Sequence, residues 1–351
     1  MTASAPTWSS VIGRLMHGGD VSAEETTWAM GQVFAGEATP AQLAGFLVAL
    51  RAKGETAAEI SGMADAMLAH ALRVRVAGRA VDVVGTGGDQ AHTVNISTMS
   101  AIVVAAAGAP VVKHGGRAAS SQAGTADVLE ALGVAIELSP AAVERCVAEL
   151  GIGFCFAQAF HPAMRYAGGV RRELGVPTAM NVLGPLSNPA QPETGLIGCA
   201  DRRLAPIMAE VFARRGKSAL VVRGDDGLDE LTTTTTSTVW IADTGGVRQA
   251  RLDPAALGVR PATAQDLRGG SPDVNAAAVR DLVAGKTGPV RDAVLLNAAG
   301  ALAAHRGITG EPTPAIADAL ETVTTAVDSG AAADLLARWA TRSTELATPD
   351  S

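Results

Sequence analysis

The sequence has few aromatic residues, few cysteines and no long hydrophobic run. Aromatic side chains make up 3% of its 351 residues, so the apolar 48% consists mainly of Ala, Val, Leu and Ile. Its three cysteines form neither a disulfide framework nor a zinc-ligand set, which favours a reducing, cytoplasmic compartment. The most apolar stretch, 99–112, is broken by Ser100, Gly108 and Pro110, whereas a membrane span needs ~20 apolar residues. We therefore expect a soluble chain with no membrane partner.

The charge balance and the first twenty residues exclude further classes. The net charge is −7, which argues against a broad nucleic-acid-binding face but permits a small local phosphate site. The chain starts without the basic segment and apolar run of a signal peptide. These observations predict a protein that acts on small molecules and has no nucleic-acid partner.

The first part of the chain has only helical patterns. Ser22 and Thr56 each precede a Glu by three residues, which is the spacing of a capping box, and Thr39 precedes a Pro at the first helical position. Apolar residues then recur at helical spacing, and nothing alternates with a period of two. The pattern predicts a small all-helical domain over 1–75.

From Ala80 onward, strand patterns alternate with helical ones. Strands are expected at 81–84, 110–112, 153–157, 195–200, 218–224 and 231–242, the last including the Thr run at 232–238. Helices are expected at 97–107, 121–132, 140–150, 204–214, 274–284, 290–304 and 314–329. Such alternation predicts an α/β domain with a mainly parallel central sheet flanked by helices.

A helical insertion interrupts this alternation. It begins at Pro162 and ends in a turn rich in Pro and Asn, and no charged or Ser-rich linker separates it from its neighbours. We expect it to pack against the first helices. The predicted division is therefore a helical domain of 1–75 completed by 162–190, and an α/β domain of 76–161 and 191–345.

A glycine-rich motif, DVVGTGGDQAHTVNIST, occupies residues 82–98. A strand opening into glycines exposes several backbone N–H groups, and the helix that follows adds a positive dipole end, which suits a phosphate. A dinucleotide fingerprint fails because position 90 is Gln, and no Gly-Lys-Ser/Thr follows for a P-loop. A purely structural turn stays open as the alternative.

Two charged segments follow other strands and would lie at the same sheet edge. Residues 113–121, KHGGRAASS, combine Lys and Arg with small residues and hydroxyls, which suits phosphate oxygens, although a solvated basic turn is the plain alternative. Residues 225–230, DDGLDE, place four carboxylates together. Mg²⁺ binds one or two carboxylates plus substrate phosphates, and an acidic surface loop is the alternative.

A fourth motif combines His161 with Arg171. The ten-residue spacing is close to three helical turns, so we expect both side chains on the same side of a helix. A guanidinium there is suited to gripping a carboxylate in two-pronged fashion. The alternative is a surface Arg and a His at a helix start.

Together these segments resemble the anthranilate phosphoribosyltransferases of tryptophan biosynthesis. The shared elements, in the family's order, are GTGGD, NIST, KHGxRAASS, ADVLEALG, HPAM…VRRELG, NxLGPLxNP and DGLDE, and the resemblance continues to LLNAAGALAAHRG. It implies transfer of the phosphoribosyl group of 5-phosphoribosyl 1-pyrophosphate to the amine of anthranilate, with release of pyrophosphate and with Mg²⁺. It also implies a helical plus an α/β domain and a homodimer formed through the helical domain.

The resemblance assigns binding roles to individual residues. Those implied for phosphoribosyl pyrophosphate are Gly85, Thr86, Gly87, Gly88, Asp89, Thr93, Asn95, Ser97, Thr98, Lys113, Arg117, Ser120 and Ser121. Those implied for two magnesium ions are Ser97, Asp229 and Glu230. Those implied for anthranilate are Gly85, His114, Gly116, Gln158, His161 and Arg171. No residue is assigned as a general base, because an aromatic amine is already neutral near pH 7.

Two positions depart from the family's pattern, and both belong to the acceptor side. The family usually has Asn where this chain has Gly116, and Pro where it has Gln158. A phosphoribosyltransferase for a different aromatic acid or amine is therefore the alternative function. A non-catalytic relative that binds nucleic acid is disfavoured by the acidic net charge and the intact metal carboxylates.

Overall fold

A computed structural model describes residues 5–118 and 122–348 of the chain. The helices are α1 Trp8–Met16, α2 Ala23–Phe34, α3 Pro40–Lys53, α4 Ala57–Ala69, α5 Ile96–Ala106, α6 Thr125–Ala131, α7 Pro140–Leu150, α8 Ala157–Phe160, α9 Arg165–Leu174, α10 Leu183–Leu186, α11 Leu204–Arg214, α12 Pro272–Val283, α13 Pro289–Arg306, α14 Pro312–Asp328 and α15 Ala331–Ala347. Short 3₁₀ helices lie at Pro162–Met164, Ala179–Val182 and Pro254–Leu257. The strands are β1 Val81–Gly85, β2 Val111–Gly115, β3 Ile152–Phe156, β4 Thr194–Gly198, β5 Ser218–Gly224, β6 Ser237–Asp243 and β7 Gly246–Leu252.

Helices α2, α3 and α4 begin where the capping residues predict, and α1 begins with the same motif. Thr7, Ser22, Thr39 and Thr56 each accept a hydrogen bond from the backbone N–H three residues on, and that third residue bonds back. Each box satisfies two backbone donors that the first turn of a helix leaves unpaired.

The strands of the described chain form one sheet in the order β3-β2-β1-β4-β5-β6-β7. The pairs from β3 to β5 are parallel, whereas β5-β6 and β6-β7 are antiparallel. Gly85 at the end of β1 lies opposite Gly198 at the end of β4, and Gly115 at the end of β2 lies opposite Phe156. The expected α/β class with a mainly parallel sheet is confirmed, and several loops leave the same edge.

Two apolar clusters lie on opposite faces of the sheet. One contains α5, α13 and the last two helices, and the other combines α11 and its sheet face with the N-terminal helices. Helix α11 contacts both β5 and α4. The helical part of the chain therefore packs on the sheet through α11.

The insertion contacts the N-terminal helices. Helix α9 packs on α3 and α2, and α10 packs on α4. Buried side chains of the insertion, among them Ala167 and Leu183, belong to the same apolar cluster as Phe46 and Met63. We propose on this basis that 1–75 with 162–190 forms one domain, and 76–161 with 191–345 the other.

Three details differ from the sequence-based expectation. The strand expected over 231–242 begins only at Ser237, because the preceding threonine hydroxyls bond to carboxylates of the acidic loop. Strand β7 was not predicted. Its side chains alternate between exposed and partly buried positions, but several of them are Arg or Gln, so the sequence lacks the apolar alternation that indicates a strand. Helix α15 was not predicted either; it starts after Gly330 without a capping side chain. Across residues 5–118 and 122–348, no helix combines the length and apolarity needed to cross a membrane.

Candidate active site

The glycine-rich turn after β1 holds a carboxylate of the acidic loop. The backbone N–H of Gly87 donates to Asp229 Oδ2 at 2.7 Å, and the N–H of Asp229 donates to Asp89 Oδ2 at 3.4 Å. A Cβ on Gly85 or on Gly198 would overlap Asp229. Glycine is thus required at both strand ends for Asp229 to sit between them. Two segments 142 residues apart in sequence meet at this point.

Asp229 and Glu230 form a buried acidic pair. Their exposed fractions are 9% and 8%. Burial, reinforced by the charge of Asp89, raises the pKa of Asp229 to about 7. Burial and the charge of Asp229 likewise raise the pKa of Glu230 well above its ordinary value. Carboxylates held together in this way are stabilised by a cation, which favours their charged forms.

Lys113 lies beneath this pair. It is 1% exposed, and its Nζ donates to the carbonyl of Val83 at 2.5 Å and to Ser97 Oγ at 3.2 Å. Burial lowers the pKa of Lys113, an effect opposed by the charges of Asp82, Glu230 and Asp229. The Nζ of Lys113 is therefore held at one position within the site by these two hydrogen bonds.

The oxygen donors here fit Mg²⁺ bound together with a substrate. Lys113 Nζ donates to Ser97 Oγ and interacts with the charges of Asp229 and Glu230, and the backbone N–H of Ser97 donates to Glu230. These contacts bring the three oxygen-bearing side chains together. Within the described ranges, no three His, Cys, Asp or Glu side chains gather as a complete metal-binding set. Mg²⁺ commonly takes only one or two carboxylates and completes its shell with phosphate and water oxygens.

The N-terminus of α5 faces the same region. Its capping residue Asn95 makes no capping hydrogen bond, because its side chain donates to Ala123 O and accepts from Asn275. The N–H of Ile96 bonds instead to the carbonyl of Val94 at 2.7 Å and that of Ser97 to Glu230, while the N–H of Thr98 suits a further anion. Thr98 in this turn is buried and donates to the hydroxyl of Thr125. Thr93 pairs through its backbone with Arg268.

The first two carboxylates of the acidic run, Asp225 and Asp226, have different contacts from the buried pair. Asp226 accepts from Thr232 at 2.7 Å and from Thr234, and Asp225 accepts from Thr236 and Thr238. These two carboxylates are thus used by the threonine run. That run stabilises the turn that presents the buried pair.

An apolar cavity of about 540 Å³ adjoins the glycine-rich turn. Its lining includes every residue assigned to anthranilate: Gly85, His114, Gly116, Gln158, His161 and Arg171. The two imidazoles lie 5.0 Å apart between ring centroids. Burial lowers the pKa of His114 to about 3 and that of His161 to about 4, so both rings are neutral near pH 7. His114 Nδ1 bonds to the carbonyl of Gly184 at 3.0 Å, while its Nε2 has no partner among the described residues.

Arg171 supplies a positive charge to this cavity. Its guanidinium is partly buried, forms no ion pair within the described residues, and has its pKa lowered by burial. The structure corrects the reason for expecting it near His161. The two do not share a helix, because Pro162 starts a 3₁₀ turn and α9 begins at Arg165. The cavity nevertheless brings both together.

Arg117 is paired with carboxylates of α6. Its guanidinium bonds to Asp127 at 2.9 Å and to Glu130 at 2.5 Å, and it lies over the ring of Phe156. In this conformation its charge is paired with α6, and its role at phosphoribosyl pyrophosphate stays a prediction. Ser120 and Ser121 lie outside the described residues.

Three buried residues that sequence reasoning missed hold the site together. Asp82 accepts from the backbone N–H of His114 at 3.2 Å and from Asn188 Nδ2 at 2.8 Å. Asn297 on α13 bonds to both the N–H and the carbonyl of Leu231, the residue after the acidic pair. The available signal was a polar residue within an apolar stretch, as in LLNAAGALAA.

Comparison with known proteins places this geometry in a class. Residues 77–333 match the glycosyl transferase family, a/b domain, and residues 9–71 match the glycosyl transferase family, helical bundle domain. The chain is 63% identical to an anthranilate phosphoribosyltransferase of Saccharopolyspora erythraea over 346 residues, covering 99% of each chain.

Solved structures of anthranilate phosphoribosyltransferases have the same fold as this chain. An anthranilate phosphoribosyltransferase from Thermus thermophilus superposes with a TM-score of 0.89 at 40% identity, covering 95% of this chain and 99% of that one. The enzyme from Saccharomyces cerevisiae in complex with PRPP and Mg superposes with a TM-score of 0.87 at 25% identity, covering 96% and 98%. The fold and site thus define a glycosyltransferase built from a helical bundle and an a/b domain. Within that class, the chain belongs to the anthranilate phosphoribosyltransferases.

Proposed function

We propose that this chain transfers the phosphoribosyl group of 5-phosphoribosyl 1-pyrophosphate to the amine of anthranilate and releases pyrophosphate, as a step of tryptophan biosynthesis. The observation that carries the proposal is the hydrogen bond from the Gly87 N–H to Asp229, which joins the glycine-rich turn to the acidic pair. The adjoining cavity, with Arg171 in its lining, matches a small aromatic acid in size and charge.

The donor side stabilises the leaving group. When the bond from the anomeric carbon to pyrophosphate breaks, negative charge grows on the departing oxygens. The N–H groups left to receive that charge are those of Gly88 and Asp89 in the glycine-rich turn and of Thr98 in the first turn of α5, because those of Thr86, Gly87 and Ser97 already donate to Gly198, Asp229 and Glu230. Two Mg²⁺ ions, held by Ser97, Asp229 and Glu230, would add electrostatic stabilisation of the diphosphate. Gly88, Asp89, Thr93, Asn95, Thr98 and Lys113 shape the same pocket in this proposal.

The acceptor side contributes by positioning. Anthranilate is oriented with its carboxylate at Arg171 and its amine toward the anomeric carbon, so that the new C–N bond forms as the C–O bond breaks. The neutral His114 and His161 rings pack beside it. No ionised base is required for attack, because the free amine already carries its lone pair; the nitrogen becomes strongly acidic once the C–N bond has formed and loses its proton to water or to the departing pyrophosphate.

The experiment that tests this function follows the loss of anthranilate fluorescence with the donor and Mg²⁺ present. Rapid loss supports the proposal. Slow loss of anthranilate alongside rapid conversion of another aminobenzoate would instead support the alternative acceptor, which Gly116 and Gln158 motivate.

The proposal includes a homodimer in the cytoplasm. Exposed Met16 and Val48 on the N-terminal helices support an interface there, since their exposed fractions are 74% and 46%. The three cysteines are free and buried, as suits a reducing compartment. Light scattering on a size-exclusion column tests the dimer.

A further inference from the structure

The two positions that depart from the family pattern face each other across the cavity wall. A Cβ built on Gly116 would lie 3.1 Å from Gln158 Oε1 and 3.5 Å from its Nε2. The shorter of these distances is tighter than ordinary contact, so a Cβ at position 116 would move the carboxamide by a few tenths of an ångström, and a longer side chain would move it further. The glycine at position 116 therefore allows the carboxamide to keep the position that it has in this structure.

The carboxamide of Gln158 has free hydrogen-bonding capacity. Gln158 stands at the second position of α8, just beyond the end of β3, and it is exposed within the cavity lining. Its side-chain amide makes no hydrogen bond to another described residue, so both of its polar ends are available to a ligand. A carboxamide can donate to a carboxylate and accept from an amine, the two polar groups of an ortho-aminobenzoate.

Gly116 itself is not held by backbone strain. Its φ lies outside the left-handed region in which glycine is required, unlike Gly87 and Gly88 nearby. The backbone conformation at position 116 therefore does not require glycine. What the glycine provides is the space beside the carboxamide of Gln158.

We propose that Gln158 is a specificity-determining residue whose carboxamide hydrogen-bonds the aromatic acceptor, and that Gly116 supports it by leaving the carboxamide in the position seen here. The inference rests on the proposed function, since it takes an aromatic amino acid of the anthranilate type as the acceptor. Positions 116 and 158 then act as a unit, and their substitutions are strongly non-additive.

The test is a double-mutant cycle with both Michaelis constants measured. Gln158→Ala removes the carboxamide and is expected to raise the KM for anthranilate about 10- to 100-fold, the effect of losing a hydrogen bond to a charged group. The KM for phosphoribosyl pyrophosphate stays unchanged. Gly116→Asn displaces the carboxamide and raises the anthranilate KM similarly, while Gly116→Ala, which adds only a Cβ, has a smaller effect.

The double variant decides the matter. Gly116→Asn with Gln158→Ala supplies a carboxamide from position 116 without the clash, so the anthranilate KM returns to within about fivefold of the original value. Gln265→Ala, at an exposed position away from the cavity, is the matched control. Additive effects in the cycle, or an unchanged anthranilate KM in Gln158→Ala, would overturn the inference.

A binding titration separates this inference from the proposed function. The quench of anthranilate fluorescence on binding reports affinity without turnover. Binding without turnover contradicts the proposed reaction alone, and the cycle is then read in dissociation constants. Turnover with affinities that do not respond to positions 116 and 158 contradicts the inference alone.

Discussion

The donor side and the acceptor side of the site are formed by different kinds of chemical group. The donor side consists of backbone N–H groups and a buried acidic pair, wedged between glycines that admit no side chain. The acceptor side is a cavity walled by side chains, with two neutral imidazoles and the guanidinium of Arg171. Positions 116 and 158, where the chain departs from its family's usual residues, fall in the cavity. A site lined by side chains can therefore be altered by single substitutions, whereas a site formed by backbone groups packed between glycines cannot.

The largest effect is expected from neutralising the acidic pair. Asp229→Asn with Glu230→Gln leaves the fold's packing but removes the charge proposed to hold Mg²⁺, so kcat should fall by about 1,000-fold or more. Loss of anthranilate fluorescence at limiting Mg²⁺ measures it. Asp225→Asn in the same acidic run is the matched control, because Asp225 bonds to Thr236 and Thr238 and not to the site. Full activity of the double variant would contradict the metal role.

The next largest effect tests the rigidity of the donor side. A methyl group at Gly198 would overlap the carbonyl of Asp229, so Gly198→Ala must shift the acidic pair. A displacement of about 1 Å at such a site costs about 100-fold in kcat/KM. Gly13→Ala, whose Cβ meets open space in α1, is the control. Unimpaired turnover in a folded Gly198→Ala protein would show that this side tolerates side chains after all.

On the acceptor side, Arg171 is expected to affect one substrate only. Arg171→Ala removes a charge-assisted contact to the carboxylate and should raise the KM for anthranilate about 10- to 100-fold, with the KM for phosphoribosyl pyrophosphate preserved. Steady-state kinetics with each substrate varied in turn measures the split. The neighbouring exposed Arg172→Ala serves as control. Equal changes in both constants would argue against a cavity that binds only the acceptor.

The histidines of the cavity should make stability depend on pH. The folded-state pKa of His161 is about 4, below its ordinary 6.5, so the folded protein binds fewer protons than the unfolded chain between those values. Stability is therefore complete above pH 6.5 and is lost as the pH falls toward 4. In thermal unfolding from about pH 7.5 to about pH 5, His161→Gln should flatten the fall in Tm. Exposed His17→Gln controls for loss of a histidine, and parallel slopes for His161→Gln and the unaltered chain would refute the assignment.

The smallest effect is expected at Arg117. Its charge is already paired with Asp127 and Glu130, so Arg117→Ala should change the KM for phosphoribosyl pyrophosphate by less than about threefold. Donor-saturation kinetics checks this. A tenfold rise in that KM would show that Arg117 binds the donor, and the donor side would then depend on a side chain as the acceptor side does.

Sequence patterns predicted the elements whose cause is local. Capping boxes set the starts of α2 and α4, and short β-branched runs marked the strands that end at the site. The threonines at 232–236 show the limit of such reasoning. Their β-branched side chains favour a strand, but their hydroxyls bond to the carboxylates of Asp225 and Asp226, and the chain turns instead.

Long-range contacts account for what the sequence did not predict about the site. Arg117 is a phosphate candidate by its motif, and its ion pairs with Asp127 and Glu130 could not be predicted without the position of α6. Asn297 acts from α13 on a residue 66 positions away. Gly116 and Gln158 are recognisable singly as departures, whereas their mutual contact depends on how β2 and α8 meet.

Calorimetric titration of phosphoribosyl pyrophosphate, with and without Mg²⁺, tests most directly whether the glycine-rich turn and the acidic pair together hold the donor. The account predicts tight binding that requires Mg²⁺ in the unaltered chain, and loss of that requirement together with most of the affinity in the Asp229→Asn, Glu230→Gln variant. Equal affinity in both proteins, indifferent to Mg²⁺, would contradict it.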